Sequence, residues 1–200
     1  MQLLLATSNK HKLEEVGAIL EPLGVEVIGL DSLPGHYEEP VEDADTFEGN
    51  AKLKAVGYAK STGKQCMADD SGLVVDALGG RPGVLSARFS GIGESGEERD
   101  EANNALLLEQ LKDVPTSERS ARFVCAICIA NPDGSIVGES KGYFEGVIGE
   151  EPMGSNGFGY DPLLFVPRAN KTSAQMSPGD KNTLSHRGEA VRNIMNCFAS

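Results

Sequence analysis

The sequence predicts an α/β protein. Apolar segments typical of buried strands alternate with helical patterns along the first half of the chain, beginning with Gln2 to Ala6 and the helix that follows it. Further along, the strand patterns Ser120 to Ala130 and Ile136 to Ile148 are joined by a short turn, which is a clear hairpin signal. That hairpin is long enough to build a second lobe. The 200 residues suffice for one sizeable domain or for two small lobes that share a core.

The composition narrows the class of protein. It is that of an ordinary soluble globular chain, with 40% hydrophobic and 24% charged residues. The formal net charge of -12 disfavours loose binding to nucleic acid backbones and to anionic membranes, but it leaves room for a small polyanion held with a metal in a locally basic pocket. No apolar run approaches the ~20 residues of a membrane span, and the first apolar run is too short for a signal peptide. We therefore expect a cytoplasmic protein that binds neither nucleic acid nor membranes.

The first strand leads through a polar turn into a helix that includes Leu13 to Leu20. Ser8 and Asn9 are good N-cap residues. The free backbone N–H groups and the dipole at such a helix start favour an anion, and Lys12 lies in the first turn, where it can meet a phosphate. The loop lacks the G-x-x-x-x-G-K-[ST] pattern of Walker-type sites. By itself, this stretch is therefore better explained as an ordinary capped helix with a solvated lysine.

A second strand is predicted over Val25 to Ile28, and an acidic, turn-rich stretch follows from Asp31 to Asp45. Most of that stretch must be a solvated loop, but one of its carboxylates can supply a metal ligand. A second helix then begins, with Asp45 or Thr46 as its cap. Lys54 lies beside the apolar stripe of this helix, so it either snorkels to solvent or reaches into a crevice.

Asp69 to Gly72 lies between two apolar strand patterns, Gln65 to Ala68 and Leu73 to Leu78. We interpret it as a polar turn at the end of a strand, which is where binding crevices form in α/β proteins. Neighbouring side chains of a strand point to opposite faces, so only one of the two aspartates faces a given crevice. We choose Asp70, because the turn continues on its side. Alone, the segment is equally well explained as a polar turn without function.

The middle of the chain carries a third helix and the hairpin. The helix is predicted over Glu97 to Asp113, and its inward side chains are Ala102, Ala105, Leu106 and Leu111. Within the first hairpin strand, Cys125 and Cys128 form a C-x-x-C motif. Positions three apart on a strand face opposite ways, which disfavours a zinc site or a redox pair. We expect the four cysteines to be buried free thiols.

The segment Gly154 to Pro162 is the most irregular of the chain. Its glycines allow the backbone to approach a ligand closely. Phe158 and Tyr160 offer a ring on which a base can stack, and Asp161 offers a carboxylate. The alternative is a glycine-rich turn with core aromatics.

The last third ends in a strand and two helices. The strand is predicted over Leu163 to Val166, and Ser177 with Pro178 marks a helix start. Ser185 to Glu189 leads into a C-terminal helix that continues through Phe198. His186 and Arg187 lie close to that helix start, and without a function they would be a surface pair.

Seven short motifs occur along the chain in the order found in one known family. They are Thr7-Ser8-Asn9-x-x-Lys12, Thr46-Phe47-x-x-Asn50-Ala51, Ala68-Asp69-Asp70-Ser71-Gly72-Leu73, Gly79-Gly80-x-Pro82-Gly83, Ser86-Ala87-Arg88, Gly157-Phe158-Gly159-Tyr160-Asp161-Pro162 and Ser185-His186-Arg187-Gly188. The chain resembles the inosine triphosphate pyrophosphatases, house-cleaning enzymes that hydrolyse deaminated purine nucleoside triphosphates. The match runs from the first strand to the last helix.

The resemblance implies that residues 1–200 form one nucleoside-triphosphate pyrophosphatase domain. The implied fold is elongated and α/β, with a long central mixed sheet flanked by helices, two lobes, and the active crevice between them. The implied reaction converts ITP, dITP or XTP to the monophosphate and pyrophosphate, requires Mg²⁺, and keeps these nucleotides out of DNA and RNA. The implied assembly is a homodimer.

The resemblance also assigns roles by position. Glu42 and Asp70 are implied as metal ligands, with Asp70 also as the proton acceptor. The implied substrate-binding residues are Thr7, Ser8, Asn9, Lys10, His11, Lys12, Lys54, Ser71, Phe158, Gly159, Tyr160, Asp161, Lys181, His186 and Arg187. Many relatives carry glutamate just before the helix-motif asparagine. Here Gly49 stands there, with Glu48 one step earlier, which leaves open whether Glu48 contributes to the metal site.

These assignments give a mechanistic hypothesis. Mg²⁺ binds through one or two carboxylates plus phosphate oxygens, so Glu42 and Asp70 are sufficient protein ligands. Asp70 deprotonates the attacking water, while Lys12 and Lys54 steady the outgoing pyrophosphate. Arg187 carries donors only, which suits the 6-oxo group of a deaminated purine and not a 6-amino group.

Three alternatives stay open on the sequence. A related pyrophosphatase of modified pyrimidine or methylated nucleotides lacks support in the base-pocket motif. A nucleotide sensor without turnover has no need for a water-activating carboxylate. A structural protein leaves the polar residues at so many element ends unexplained.

Overall fold

A computed structural model of the chain describes residues 2–7 and 9–195. The helices are α1 (Lys10–Leu20), α2 (Phe47–Thr62), α3 (Gly96–Leu111), α4 (Pro178–Leu184) and α5 (His186–Met195). The strands are β1 (Gln2–Leu5), β2 (Glu26–Gly29), β3 (Cys66–Val75), β4 (Ser120–Ala130), β5 (Ile136–Ile148), β6 (Leu164–Val166) and β7 (Lys171–Thr172). Both strands of the predicted hairpin have their predicted bounds. Phe198 and Cys197 lie outside the described residues.

The strands form one mixed sheet in the order β2-β1-β3-β4-β5-β6-β7. β1 pairs in parallel with both β2 and β3, and Leu4 lies opposite Ile28 on one side and Cys66 on the other. β6 pairs antiparallel with β5 and with β7. Parallel neighbours need crossover connections, which the chain supplies with α1 and α2. The predicted α/β class with a mixed sheet and flanking helices is confirmed.

The described residues divide into two compact units. The first contains the chain up to Asp70, then Cys125–Tyr143, and the residues from Ser185 onward; the second contains Ser71–Val124 and Phe144–Leu184. The boundaries fall inside β3, β4 and β5, so each of these strands contributes residues to both units. The predicted crevice between two lobes stays a prediction.

Each unit has its own apolar core. In the first unit, α1 and α5 contribute Val16, Leu20 and Val191, which cluster with strand residues such as Leu3 and Ile127. The core of the second unit includes Leu73, Leu107, Phe144, Tyr160 and Leu164. The helices α1, α3 and α5 thus each bury one face against strand residues of their own unit, which is the main source of stability for such amphipathic elements.

Side-chain caps start α1 and α2 at the predicted places. The Asn9 side-chain oxygen accepts the N–H groups of His11 (3.0 Å) and Lys12 (3.3 Å). Thr46, rather than Asp45, caps α2 by accepting the Gly49 N–H at 3.1 Å. These caps satisfy N–H groups that a helix start leaves without helical partners. Ser8, the other predicted cap of α1, lies outside the described residues.

The predicted turn at Asp69 to Gly72 is wrong. β3 continues through these residues and ends at Val75. Gly72 is needed for a close approach instead of a turn, because a Cβ there would clash with Ser86 Oγ. That hydroxyl accepts the Leu73 N–H at 2.8 Å and donates to the Gly83 carbonyl at 2.6 Å, which fastens a loop against the strand.

The predicted inward face of α3 is also wrong in part. Leu111 is buried as expected, but Ala105 is exposed, and the buried stripe runs through Asn103 and Leu107. The Asn103 amide accepts the Ser90 N–H at 2.8 Å and donates to the Ser86 carbonyl at 3.2 Å. These bonds turn a polar side chain inward and set the rotation of the helix, while Ala102 and Leu106 become half-buried.

The cysteines of the described residues are the expected buried free thiols. Burial raises the pKa of Cys66 and of Cys125 to about 12, and that of Cys128 to about 11. Such thiols are protonated at neutral pH and therefore poor nucleophiles. No helix among the described residues is long and apolar enough to cross a membrane.

Candidate active site

β3 carries Asp69 and Asp70 side by side, and the two carboxylates contact different partners. Neighbouring strand residues point to opposite faces. Asp69 is contacted by Lys12 and Arg187, whereas Asp70 is contacted by Asn50 and Lys54. The side chain of Asp69 is 2% exposed and that of Asp70 13%. The strand therefore presents two distinct charged clusters, both within the first unit.

The Asp70 face brings together three of the predicted site residues. Lys54 Nζ lies 2.9 Å from Glu42 Oε2 and 3.7 Å from Asp70 Oδ1. The Asn50 amide donates to Asp70 Oδ2 at 3.2 Å and accepts the Ala44 N–H at 3.0 Å. Asn50 therefore joins α2, the acidic loop and β3. Lys54 reaches into this cluster instead of snorkelling, with 8% of its surface exposed.

Burial and the neighbouring opposite charges shift the pKa of Asp70, and likewise that of Lys54, in opposite directions. Burial raises the pKa of Asp70, and the nearby positive charges of Lys54 and Lys12 do not cancel that effect. Burial lowers the pKa of Lys54, but the negative charges of Asp69, Asp70 and Glu42 outweigh it and hold the pKa above its ordinary value. The lysine thus stays charged, while Asp70 is a stronger base than an exposed aspartate.

The Asp69 face is a buried ion cluster. Asp69 Oδ2 lies 3.0 Å from Lys12 Nζ and 3.3 Å from Arg187 Nη2, and Arg187 also donates to Glu15. Burial would raise the pKa of Asp69, but the charges of Lys12, Arg187 and Lys54 hold it well below its usual range. Burial would likewise lower the pKa of Arg187, which Asp69 and Glu15 raise. Asp69 and Arg187 are therefore both ionised at neutral pH.

The predicted phosphate loop leads into the start of α1. Thr7 Oγ1 accepts the Asn9 N–H at 3.1 Å, and Asn9 caps the helix. Lys10 and His11 are exposed, whereas Lys12 turns inward to Asp69. The loop thus combines helix-start N–H groups with one inward ammonium. Ser8 lies outside the described residues.

A second group of predicted residues lies within the second unit. Asp161 Oδ2 lies 2.6 Å from Lys181 Nζ and accepts the Phe158 N–H at 2.9 Å, while Oδ1 accepts the Ser173 hydroxyl at 2.6 Å. Lys181 Nζ lies 5.3 Å from the centre of the Phe158 ring. A Cβ at Gly157 would clash with Asp161, which explains the glycine. The irregular segment is therefore folded around the Asp161 carboxylate.

The two aromatic rings of this segment differ. Tyr160 is 4% exposed, belongs to the core, and donates its hydroxyl to the Ser86 carbonyl at 2.9 Å. Phe158 is half-buried, so of the two it offers the accessible ring. Gly159 is held from α3, where Asp100 accepts its N–H at 2.6 Å and Asn104 donates to its carbonyl at 3.0 Å. Sequence reasoning missed both α3 residues.

His186 and Arg187 belong to the first unit and are buried, so they are not a surface pair. Ser185 precedes them and accepts the Gly188 N–H at 3.1 Å, which starts α5. Ser71, the remaining predicted residue, is half-buried in β3.

Three residues near the predicted site play parts that the sequence did not reveal. Asn50 belongs to one of the seven motifs, but no role was predicted for it. No feature of the sequence pointed to Glu15. Glu48, whose part in the metal site was open, forms an ion pair with Lys141 of β5. A Cβ at position 49 would clash with Ala44, which explains the glycine there.

The Asp70 cluster fits a hard divalent cation. Lys54 Nζ acts as a stand-in cation, because it already lies between the carboxylates of Glu42 and Asp70. Carboxylate oxygens are preferred ligands of Mg²⁺, which commonly takes one or two of them and completes its coordination with phosphates and water.

Comparison with known proteins identifies similar chains. A sequence model of the Ham1 family matches residues 3–197. A dITP/XTP pyrophosphatase from an Exiguobacterium species is 50% identical over 97% of this chain and 95% of its own length. The dITP/XTP pyrophosphatase of Desulforamulus reducens is 48% identical over 98% of this chain and 94% of its own.

Solved structures agree with the sequence comparison. A Ham1 protein from Coxiella burnetii has a TM-score of 0.86 and 36% identity, covering 100% of this chain and 98% of its own. The Staphylococcus aureus Ham1 protein has a TM-score of 0.82 and 38% identity, with the same coverage. The resemblance found in the motifs is confirmed.

Proposed function

The chain belongs to the Ham1 family, and we propose that it hydrolyses the deaminated purine nucleotides ITP, dITP and XTP to the monophosphate and pyrophosphate. The observation that carries the proposal is the joint cluster of Glu42, Lys54 and Asp70 on one face of β3. It brings one ammonium and two carboxylates together, and this supports a site in which Glu42 and Asp70 hold a metal and Asp70 also acts as the base. The names of the relatives supply the class of substrate.

Glu42 and Asp70 are the residues that would hold Mg²⁺. When bound, Mg²⁺ neutralises phosphate charge and makes phosphorus open to attack. The raised pKa of Asp70 supports its role as the group that takes the proton of the attacking water. The Asn50 amide on Oδ2 fixes the orientation of this carboxylate.

The leaving pyrophosphate needs positive charge and N–H donors. We assign these to Lys12, Lys54 and the N–H groups at the start of α1, with Thr7, Ser8, Asn9, Lys10 and His11 completing that loop and Ser71 touching substrate. The dipole of a helix start favours phosphate, and on binding the N–H groups of His11 and Lys12 would pass from the Asn9 cap to phosphate oxygens. The ion pair of Lys12 with Asp69 supports this role, because it holds the ammonium inward.

Base recognition is assigned to Phe158 to Asp161 and Lys181, together with His186 and Arg187. The Phe158 ring beneath the Lys181 ammonium supports stacking next to a donor, which matches a 6-oxo purine. Arg187 has its donors on Asp69 and Glu15. We therefore infer that Arg187 supports selectivity chiefly by fixing the position of that cluster.

The test is pyrophosphate release from ITP, with ATP and GTP as competing substrates, in Mg²⁺ and in EDTA. Release from ITP alone, abolished by EDTA, supports the proposal. Equal release from all three nucleotides would retain the phosphate chemistry and discard the base assignments. Tight ITP binding without release would favour a sensor, and preference for dUTP would favour a pyrimidine nucleotide pyrophosphatase. Sedimentation of the same sample checks the homodimer that the resemblance predicts.

A further inference from the structure

Lys54 lies between the two carboxylates assigned to the metal. Its Nζ is 2.9 Å from Glu42 Oε2 and 3.7 Å from Asp70 Oδ1. The side chain is buried, and it projects from α2, one turn after Asn50, which bonds Asp70 at 3.2 Å. Its ammonium is therefore held in place as the shared counter-ion of both carboxylates.

This position has a consequence for cation binding. A divalent cation drawn to Glu42 and Asp70 meets an ammonium already within 4 Å of each, and like charges at such separations repel strongly in a partly buried site. The cation either stays weakly bound or displaces Lys54. Displacement is unfavourable without a new anion for the lysine, because a buried ammonium needs a partner.

A triphosphate supplies such an anion. It carries several negative charges and arrives with a bound divalent cation of its own. Once a phosphate oxygen takes the Lys54 ammonium, Glu42 and Asp70 lose their shared counter-ion and are available to that cation. In this exchange every charged group keeps a partner, because Lys54 pairs with phosphate while Glu42 and Asp70 pair with the cation.

We propose that Lys54 gates the metal site: it blocks divalent cations from Glu42 and Asp70 in the nucleotide-free protein and releases the two carboxylates when a triphosphate binds. The gate rests on the proposed function, since it takes the metal and the triphosphate from it. With such a gate, the protein binds the nucleotide as its complex with the metal. It also keeps the carboxylates paired and ordered between turnovers.

The test is a titration of the nucleotide-free, full-length protein with Mn²⁺, in which calorimetry measures the affinity. Lys54→Met removes the ammonium and keeps an apolar stem of similar length. Its Mn²⁺ affinity is expected to exceed that of the wild type by about 10-fold or more, because a unit charge within 4 Å is removed. Lys52→Met is the matched control, since Lys52 is exposed on the same helix, and it should bind Mn²⁺ as the wild type does. A Lys54→Met variant that binds Mn²⁺ no better than the wild type overturns the gate.

A second measurement uses the melting temperature to report the stability that is lost when Glu42 and Asp70 have no shared counter-ion. Lys54→Met and Lys54→Gln are both expected to melt below the wild type, and Mn²⁺ should raise their melting temperatures more than it raises that of the wild type. The double variant Glu42→Gln, Lys54→Met should lose most of the gained affinity. If it keeps that affinity, the cation binds elsewhere and the gate is discarded.

These readouts separate the gate from the proposed function. None of them needs turnover. Gained Mn²⁺ affinity in Lys54→Met, together with a wild type that releases no pyrophosphate from ITP, would keep the block on cation binding by Lys54 and discard the enzyme. Normal turnover with no gain in affinity would do the reverse.

Discussion

Asp69 and Asp70 are adjacent residues of the same type on the same strand, yet their surroundings shift their pKa values in opposite directions. Two basic side chains, Lys12 and Arg187, contact Asp69 and hold its pKa below the usual range. Asp70 shares one ammonium with Glu42, and burial keeps its pKa above the ordinary value. One carboxylate is therefore fixed as a charge, and the other remains able to accept a proton.

Two adjacent positions on one strand thus have different surroundings: Asp69 belongs to a fixed ion cluster, whereas Asp70 is the residue proposed to react. Alternation along β3 sends the two carboxylates to different faces, so each meets its own elements. Asp69 meets α1 and α5, whereas Asp70 meets α2, whose Lys54 also pairs with Glu42 of the acidic loop. If this division is right, replacing either aspartate by asparagine should damage a different property of the protein.

The largest expected effect is the loss of stability in Asp69→Asn. Removing this charge leaves the buried Arg187 and the half-buried Lys12 with one carboxylate fewer, and breaking a buried ion pair costs about 3–5 kcal/mol. Urea unfolding measures the free energy of unfolding of both proteins. The control is Asp113→Asn, an exposed residue just after α3, where a change within ±0.5 kcal/mol is expected. A loss below about 1 kcal/mol at Asp69 would mean that its charge does not hold the cluster together.

The next effect is the loss of turnover in Asp70→Asn. Asparagine keeps the shape but cannot take a proton, so kcat for ITP should fall by about 10²-fold or more. Stability at neutral pH should hold or rise slightly, because a buried carboxylate with a raised pKa is replaced by a neutral group. Stopped assays of pyrophosphate release and urea unfolding are run on the same preparation. Unchanged turnover would remove Asp70 from the role of proton acceptor.

A smaller effect is the pH dependence of the difference in stability between the wild type and Asp69→Asn. The pKa of Asp69 is lower in the folded protein than its unfolded value of about 3.9. Its contribution is therefore fully present above the unfolded pKa and is lost as pH falls through the folded pKa. The difference should be constant from about pH 5 to 8 and shrink below about pH 4. A difference that shrinks as pH rises from 5 to 8 would contradict this sign.

Local signals in the sequence predicted most elements of the fold. Asn9 and Thr46 cap helices with their own neighbours, and the hairpin turn between β4 and β5 closes within five residues, Asn131 to Ser135. By contrast, the turn predicted at Asp69 to Gly72 is a strand. Polar residues in sequence indicate a turn, but here they are held extended by partners such as Arg187, 118 residues further along the chain.

The site was predicted as a set of residue types, and their partners were not. Lys54 was expected either at the surface or in a crevice, and only the fold decides that it joins Glu42 and Asp70. Glu15 gave no signal, because its partner Arg187 lies 172 residues away. Asn103 was missed since a buried amide breaks the apolar pattern that sets the phase of a helix. Long-range pairing of polar groups is what the sequence conceals.

Asn50 gives the smallest effect and the sharpest test of the Asp70 face. Its amide bonds Asp70 on one side and the Ala44 N–H on the other, so Asn50→Ala removes two hydrogen bonds, each worth about 1 kcal/mol. We expect a loss of about 1–2 kcal/mol in stability and a fall in kcat for ITP of about 10-fold, with KM little changed, because the base loses its orientation and not its charge. Asn50→Asp tests the same contact with a like charge beside Asp70, and it should lower kcat further. A variant of either kind with full turnover would show that Asp70 is oriented without Asn50.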